Sequence, residues 1–250
     1  MSDEASRLKL IVAYDGTFFA GWQSQANRNT IQDHLERAFK RITAKNIRVH
    51  GAGRTDAGVH ALGQCAHVDV TNKNLSSATW TKALNANLPA TIRVLRCSFI
   101  SRNFHARFSA KRKLYRYRIW NGEILLPIEL NRAWHFSRPL DLELLKAAAT
   151  CFVGKHDFAA FSANRGKVEK STVRTIYDTR VCRKGHAISI EFEADGFLYK
   201  MVRLMTGAIV RCATGKTQIG ELRSAFKAHS TIAGRLVAPA EGLFLVTVSY

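Results

Sequence analysis

Hydrophobic periodicity along this chain switches between two and 3.6 residues in the same order twice, and that order limits the folds open to it. Leu8–Tyr14 alternates as a strand and stops at Asp15-Gly16. Thr30 is placed to cap a helix carrying Ile31, Leu35, Ala38, Phe39 and Ile42 at helical spacing. Ile47–His50 and Gly63–Val70 read as strands, Ser76–Ala86 as a helix and Ile92–Ile100 as a strand. The second half repeats the order with insertions. Leu114–Trp120 is a strand and Leu140–Phe152 a helix; Arg174–Arg183 and Ala187–Glu193 pair about a turn at Lys184-Gly185. Phe197–Ala213 is then a helix and Leu243–Val248 the closing strand. Two β-α-β-β-α-β halves predict an α+β fold of two fused ferredoxin-like units. They would form a largely antiparallel central sheet with helices packed on it and a cleft between the halves. The boundary is expected near Phe108–Lys111, giving domains 1–109 and 110–250. No Pro- or Ser-rich linker lies there, so the halves read as fused.

The charge points to a polyanionic partner. Against 38 Lys and Arg stand only 19 Asp and Glu, a formal +19. From Arg93 to Arg118 run Arg93, Arg96, Arg102, Arg107, Lys111, Arg112, Lys113, Arg116 and Arg118, with no acid among them. Phe104, Phe108, Tyr115 and Tyr117 are interleaved, offering cations for phosphates and rings for bases. A membrane surface would draw the same charge, but Lys113–Trp120 alternates as a strand rather than forming an amphipathic helix. The basic loop Ser162–Thr172 reads equally as a solvated insertion and as a nucleic-acid-facing segment. The five cysteines are scattered and never paired as C-x-x-C, which fits reduced thiols rather than disulfides or zinc. With a polar, acidic N-terminus and no long apolar run, the expected location is the cytoplasm.

Gly51-Ala-Gly-Arg-Thr-Asp-Ala-Gly-Val-His60 places Asp56 in a glycine-rich loop beside Arg54 and Thr55. As a dinucleotide site the loop fails, because Asp56 takes the third glycine position and would repel a pyrophosphate. As a Walker loop it lacks Gly-Lys-Ser/Thr. Taken alone, Asp56 reads better as a turn residue than as a catalytic acid.

The run Gly51–Gln64 is followed by Phe104-His-Ala-Arg-Phe-Ser-Ala110, Tyr115-Arg-Tyr117, Gly196-Phe-Leu-Tyr-Lys-Met-Val-Arg203 and Pro239-Ala-Glu-Gly-Leu-Phe-Leu245. Together with Tyr14-Asp-Gly16, Thr30–Leu35 and Ala83–Pro89, this resembles the TruA family of tRNA pseudouridine synthases over nearly the whole chain. The resemblance implies isomerisation of uridine to pseudouridine at positions 38, 39 and 40 of the tRNA anticodon stem-loop, with no metal or other cofactor, by a homodimer. It makes Asp56 the nucleophile, attack at C1′ of the ribose and at C6 of the base both staying open. Arg203 becomes the cation that keeps this carboxylate ionised; a helix arginine reaching to solvent is the plainer reading. Tyr115 matches the tyrosine that stacks on the target base, and Leu243 the apolar residue closing the base pocket, an ordinary core residue being its other reading. Arg54 would contact RNA or help displace the base, which costs unstacking energy. Tyr117 is expected to face the other side of the strand and serve packing, and His60 and Gln64 to be structural. Lys200 departs from the family's Asn or His, and Arg211 from an apolar-acidic pair. A non-catalytic RNA-binding module would have no need of Asp56, Tyr115 and Arg203 together.

Overall fold

A computed structural model describes residues 6–26, 29–71, 75–163, 171–228 and 236–250. Residues 164–170, most of the basic loop, lie outside them. The chain is an α+β fold with a large, mostly antiparallel sheet and, among the described residues, five α-helices. It divides into two compact units, Met1–Lys111 with Leu245–Tyr250, and Arg112–Phe244.

In the first unit β1 (Ser6–Tyr14) pairs antiparallel with both β3 (His60–Val70) and β4 (Ile92–Ile100). Alternate β1 residues Leu8, Leu10 and Val12 are wholly buried, as the period of two requires. Helix α1 (Ile31–Thr43) begins where expected, because the Thr30 hydroxyl accepts from the Asp33 N–H. Helix α2 (Ser77–Ala86) is capped in the same way by Ser76. The helices meet through Phe39 and Trp80, whose ring centres lie 5.5 Å apart. The strand expected over Ile47–His50 is only β2 (His50–Gly51). The reason is local: Val49 donates its N–H to Glu36 and its carbonyl accepts from Gln32, so helix side chains take the groups a ladder would use.

The last strand, β10 (Leu243–Ser249), gives its residues from Leu245 onward to this unit. It lies beside β3 at Gly63, where a Cβ would come within 2.6 Å of the Val246 carbonyl oxygen. Lys111 donates its N–H to Ser249, and the Tyr250 hydroxyl donates to the Ala106 carbonyl at 2.8 Å. The Tyr250 ring packs on Phe104 beneath the Lys9 ammonium.

In the second unit β5 (Arg112–Trp120) pairs antiparallel with β9 (Ala187–Ala194). Strand β9 pairs with β8 (Val173–Lys184), and β8 with the short β7 (Gly154–Asp157). A two-residue strand, β6 (Trp134–His135), runs parallel to β5. The β8–β9 turn uses Gly185 at φ +59°, a left-handed conformation that glycine adopts freely. Helix α3 (Leu142–Thr150) starts later than the expected Leu140, because Asp141 caps it. Helix α4 (Met201–Ala213) starts later than Phe197, because Lys200 sits in the left-handed region at φ 58°. Asn and His tolerate that conformation better than Lys, which gives the departure at Lys200 a backbone cost. Arg211 braces the end of α4 through Thr217 and the Lys216 carbonyl. Helix α5 (Ile219–Ala228) covers the unit with Leu222 and Ala225, and its Phe226 stacks on His156. No helix among the described residues is long and apolar enough to cross a membrane.

Candidate active site

Asp56 lies half-buried between the short β2 and β3. Its loop is held from the β1–α1 connection as well as by its own glycines: a Cβ on Gly51 would meet the Trp22 ring at 2.5 Å, and Gly58 sits at φ 77°. The Tyr14 hydroxyl hydrogen-bonds the Thr55 hydroxyl at 2.8 Å, and Trp22 donates its N–H to the Thr55 carbonyl at 3.1 Å. Burial pushes the Tyr14 phenol far up, so it stays neutral. Gly21, at φ +90°, lets this connection close on the loop: a Cβ there would lie 2.5 Å from the Thr55 carbonyl oxygen. Gly16 is tighter still, with a Cβ only 2.0 Å from the Val59 oxygen. Its N–H donates to Nδ1 of His60, which is buried as scaffold. Gln64 donates to the Gly53 carbonyl, completing the frame. Asp56 itself accepts the Val59 N–H on its backbone oxygen, closing the turn that aims the side chain. Arg54 is exposed on this loop, and its Nε donates to Gln23 Oε1 at 3.1 Å. The motif Tyr14-Asp-Gly16 is the sequence signal for this clamp, although its mechanical role is visible only in the fold.

The second unit carries Tyr115, Arg203 and Leu243. Tyr115 stands on β5, 7% exposed, with its ring edge-on to Phe197 at 5.1 Å. Tyr117 does not face the opposite side. It shares the buried face with Tyr115 and Ile119, as residues two apart on a strand must. It is nevertheless a core residue, wholly buried, with its hydroxyl on the Pro239 carbonyl. Arg203 is on the first turn of α4, and its Nε donates to the Ala238 carbonyl at 2.7 Å. Leu243 opens β10 and is 6% exposed. Asp56 and Arg54 thus share one loop of the first unit, and the other three belong to the second.

These motifs can be set against known proteins. The model of the tRNA pseudouridine synthase family matches residues 10–109 and 148–250. The chain belongs to this family. The tRNA pseudouridine synthase A of Methylacidiphilum infernorum is 43% identical over 242 residues, covering 97% of this chain and 94% of that protein. Those of Akkermansia muciniphila and Thermoanaerobacter sp. strain X514 are 43% and 41% identical and cover 98% and 96% of this chain. The chain is accordingly a tRNA pseudouridine synthase, an isomerase acting on uridine in tRNA.

For such an enzyme the basic stretch needs revision. Phe104 is buried against Tyr250 and Tyr117 lies in the core, so neither is a platform for bases. Phe108 is 77% exposed, stacked on His105 and flanked by Arg107. Arg116 and Arg118 are each bonded at 2.7 Å to a glutamate, Glu191 and Glu129, and Arg112 reaches Glu193. The exposed cations of the stretch are Arg96, Arg102, Arg107, Lys111 and Arg112, the last of them the one that reaches Glu193.

Below Arg107 lies a histidine cluster absent from the sequence reading. His67 is buried, stacked on His50 at 5.0 Å and edge-on to His105 at 4.7 Å, and its Nδ1 accepts the Ala106 N–H. Burial, then Arg7, His105 and His50, push its pKa down to about 4 against the opposing pull of Asp69. Between that value and the unfolded value near ~6.5 the unfolded chain binds the extra proton, so stability is lost as pH falls through this window. The loss is on the order of 2–3 kcal/mol. Urea unfolding of wild type and His67→Asn between pH 7 and 4.5 checks this. The variant keeps an acceptor near Nδ1 and shows a correspondingly flatter pH dependence. Equal slopes would remove His67 from the account.

Proposed function

We propose that this synthase converts uridine to pseudouridine at positions 38, 39 and 40 of the tRNA anticodon stem-loop, with Asp56 as the nucleophile. The observation that carries the reading is the clamp on the Asp56 loop. Tyr14, Gly16, Gly21 and Trp22 hold a half-buried carboxylate in one geometry, as a covalent catalyst requires and a turn residue does not. Arg203 supplies positive charge for the reaction. Tyr115 stacks on the target base and Leu243 closes on it. Arg54 contacts RNA from the Asp56 loop. The N-glycosidic bond breaks, the held uracil turns, and C5 joins C1′ as its proton leaves. No cofactor is called on.

The strand order β4-β1-β3-β2 supports reading the first unit as ferredoxin-like, and the pairing of β5 with β9 and of β9 with β8 supports the same reading of the second. The enzyme works as a cytoplasmic homodimer, for which the exposed run Ile124, Leu126, Ile128 and Leu130 offers apolar surface. Mapping pseudouridine in tRNA from cells with and without this protein tests activity and position together. Positions 38–40 lose the modification in its absence, and an unchanged map would refute the assignment.

A further inference from the structure

Residues Leu236–Gly242 lead into β10 through an irregular stretch and a single 3-10 turn at Ala240–Gly242, and they are fastened within the second unit at four points. The Leu236 carbonyl occupies the space above Gly207 of α4, where a Cβ would lie 1.9 Å from its oxygen. Ala238 is tied to Arg203 in both directions, accepting from Nε at 2.7 Å and donating its N–H to the Arg203 carbonyl at 3.1 Å. The Tyr117 hydroxyl donates to the Pro239 carbonyl at 2.7 Å. Gly242 packs on the same phenol ring, where a Cβ would come within 2.7 Å of Cζ.

We propose that Tyr117 is a positioning residue for pseudouridine formation, acting through the Leu236–Gly242 strap to hold the Arg203 guanidinium in its working orientation. The proposal rests on the reading of Arg203 as a participant in the reaction. The carbonyls of Ala238 and Pro239 are successive, and the proline ring holds the φ between them at −52°. Fixing one carbonyl therefore leaves few soft torsions by which the other can drift. An arginine on a helix has a long flexible stem and a planar fork; a bond from Nε to a fixed carbonyl sets the plane of that fork. Burial raises the Tyr117 phenol well above its ordinary pKa, with Arg203 opposing and Glu241 adding to the rise. It therefore keeps the proton it donates.

The test compares wild type, Tyr117→Phe, Arg203→Lys and the double variant by single-turnover rate, tRNA affinity and urea unfolding. Lysine keeps the charge and loses the fork. Tyr117→Phe lowers the rate about tenfold while affinity stays within about twofold, the pattern of a misplaced catalytic group. In the Arg203→Lys background the same substitution changes the rate by less than about twofold, because its effect runs through the fork. A wild-type rate for Tyr117→Phe, an equal loss in both backgrounds, or a loss that only tracks the unfolded fraction would overturn the proposal. A wild-type rate for Arg203→Lys would instead overturn the reading of Arg203 itself, and the proposal with it.

Discussion

Asp56→Asn removes pseudouridine formation, by at least about 10⁴-fold in single-turnover rate, while tRNA affinity stays within about tenfold. The substitution is nearly isosteric and abolishes a nucleophile without adding bulk. The loop has supports other than the carboxylate. Thr55 is held by Tyr14 and Trp22, Val59 by the Asp56 backbone, and the approach of Gly16 and Gly21 is independent of side-chain charge. Circular dichroism and unfolding should therefore match wild type. The same clamp makes Asp56→Glu instructive. A loop that cannot retreat presents the longer carboxylate roughly one ångström too far forward, and a displacement of that size costs about 10²-fold. A wild-type rate for Asp56→Asn would remove the nucleophile assignment; parallel loss of binding would make Asp56 an RNA contact or a structural residue.

Raising salt from about 50 to 200 mM weakens tRNA binding by about 10²–10³-fold if roughly six phosphates are engaged. The effect arises from counterion release, and it distinguishes cations that meet phosphate from those already paired within the protein. Arg116 faces Glu191 across the strand pair, so Arg116→Gln leaves the slope of log affinity against log salt nearly unchanged. Arg107 and Lys111 are exposed, and replacing either with Gln lowers the slope by about one. A flat salt dependence in the wild-type protein would withdraw the argument from charge.

Much of the fold was legible because it is written locally. Thr30 and Ser76 mark helix starts with side chains that need only their own helix, and Ile92–Ile100 was readable from alternation alone. Errors fell where another element intervened. Val49 is taken from the sheet by Glu36 and Gln32, thirteen and seventeen residues away in the chain. Lys200 ends the incoming segment through a backbone conformation that composition does not announce. Helix α5 carries its own local signal in the helical spacing of Leu222, Ala225 and Phe226. The candidate residues came from motif resemblance, but their supports did not. Gly16, Gly21 and the Leu236–Gly242 strap matter through close approaches between distant segments, which no periodicity encodes. The basic stretch misled for a related reason: counting cations cannot reveal which of them face a glutamate on a neighbouring element.

The placement of Leu245–Tyr250 has a bearing on how this protein is made. The first unit includes Leu245–Tyr250, which follow the whole of the second unit in the chain, so it cannot be completed as soon as residues 1–111 leave the ribosome. Until β10 arrives, the nascent unit carries β3 with the edge beside Gly63 unpaired, and Ala106 and Phe104 without Tyr250. An open strand edge is the kind of surface that captures other chains. Domains of most growing polypeptides close in order from the N-terminus. Here the order is reversed for the unit bearing Asp56, which gains its final strand only after the second unit has been synthesised.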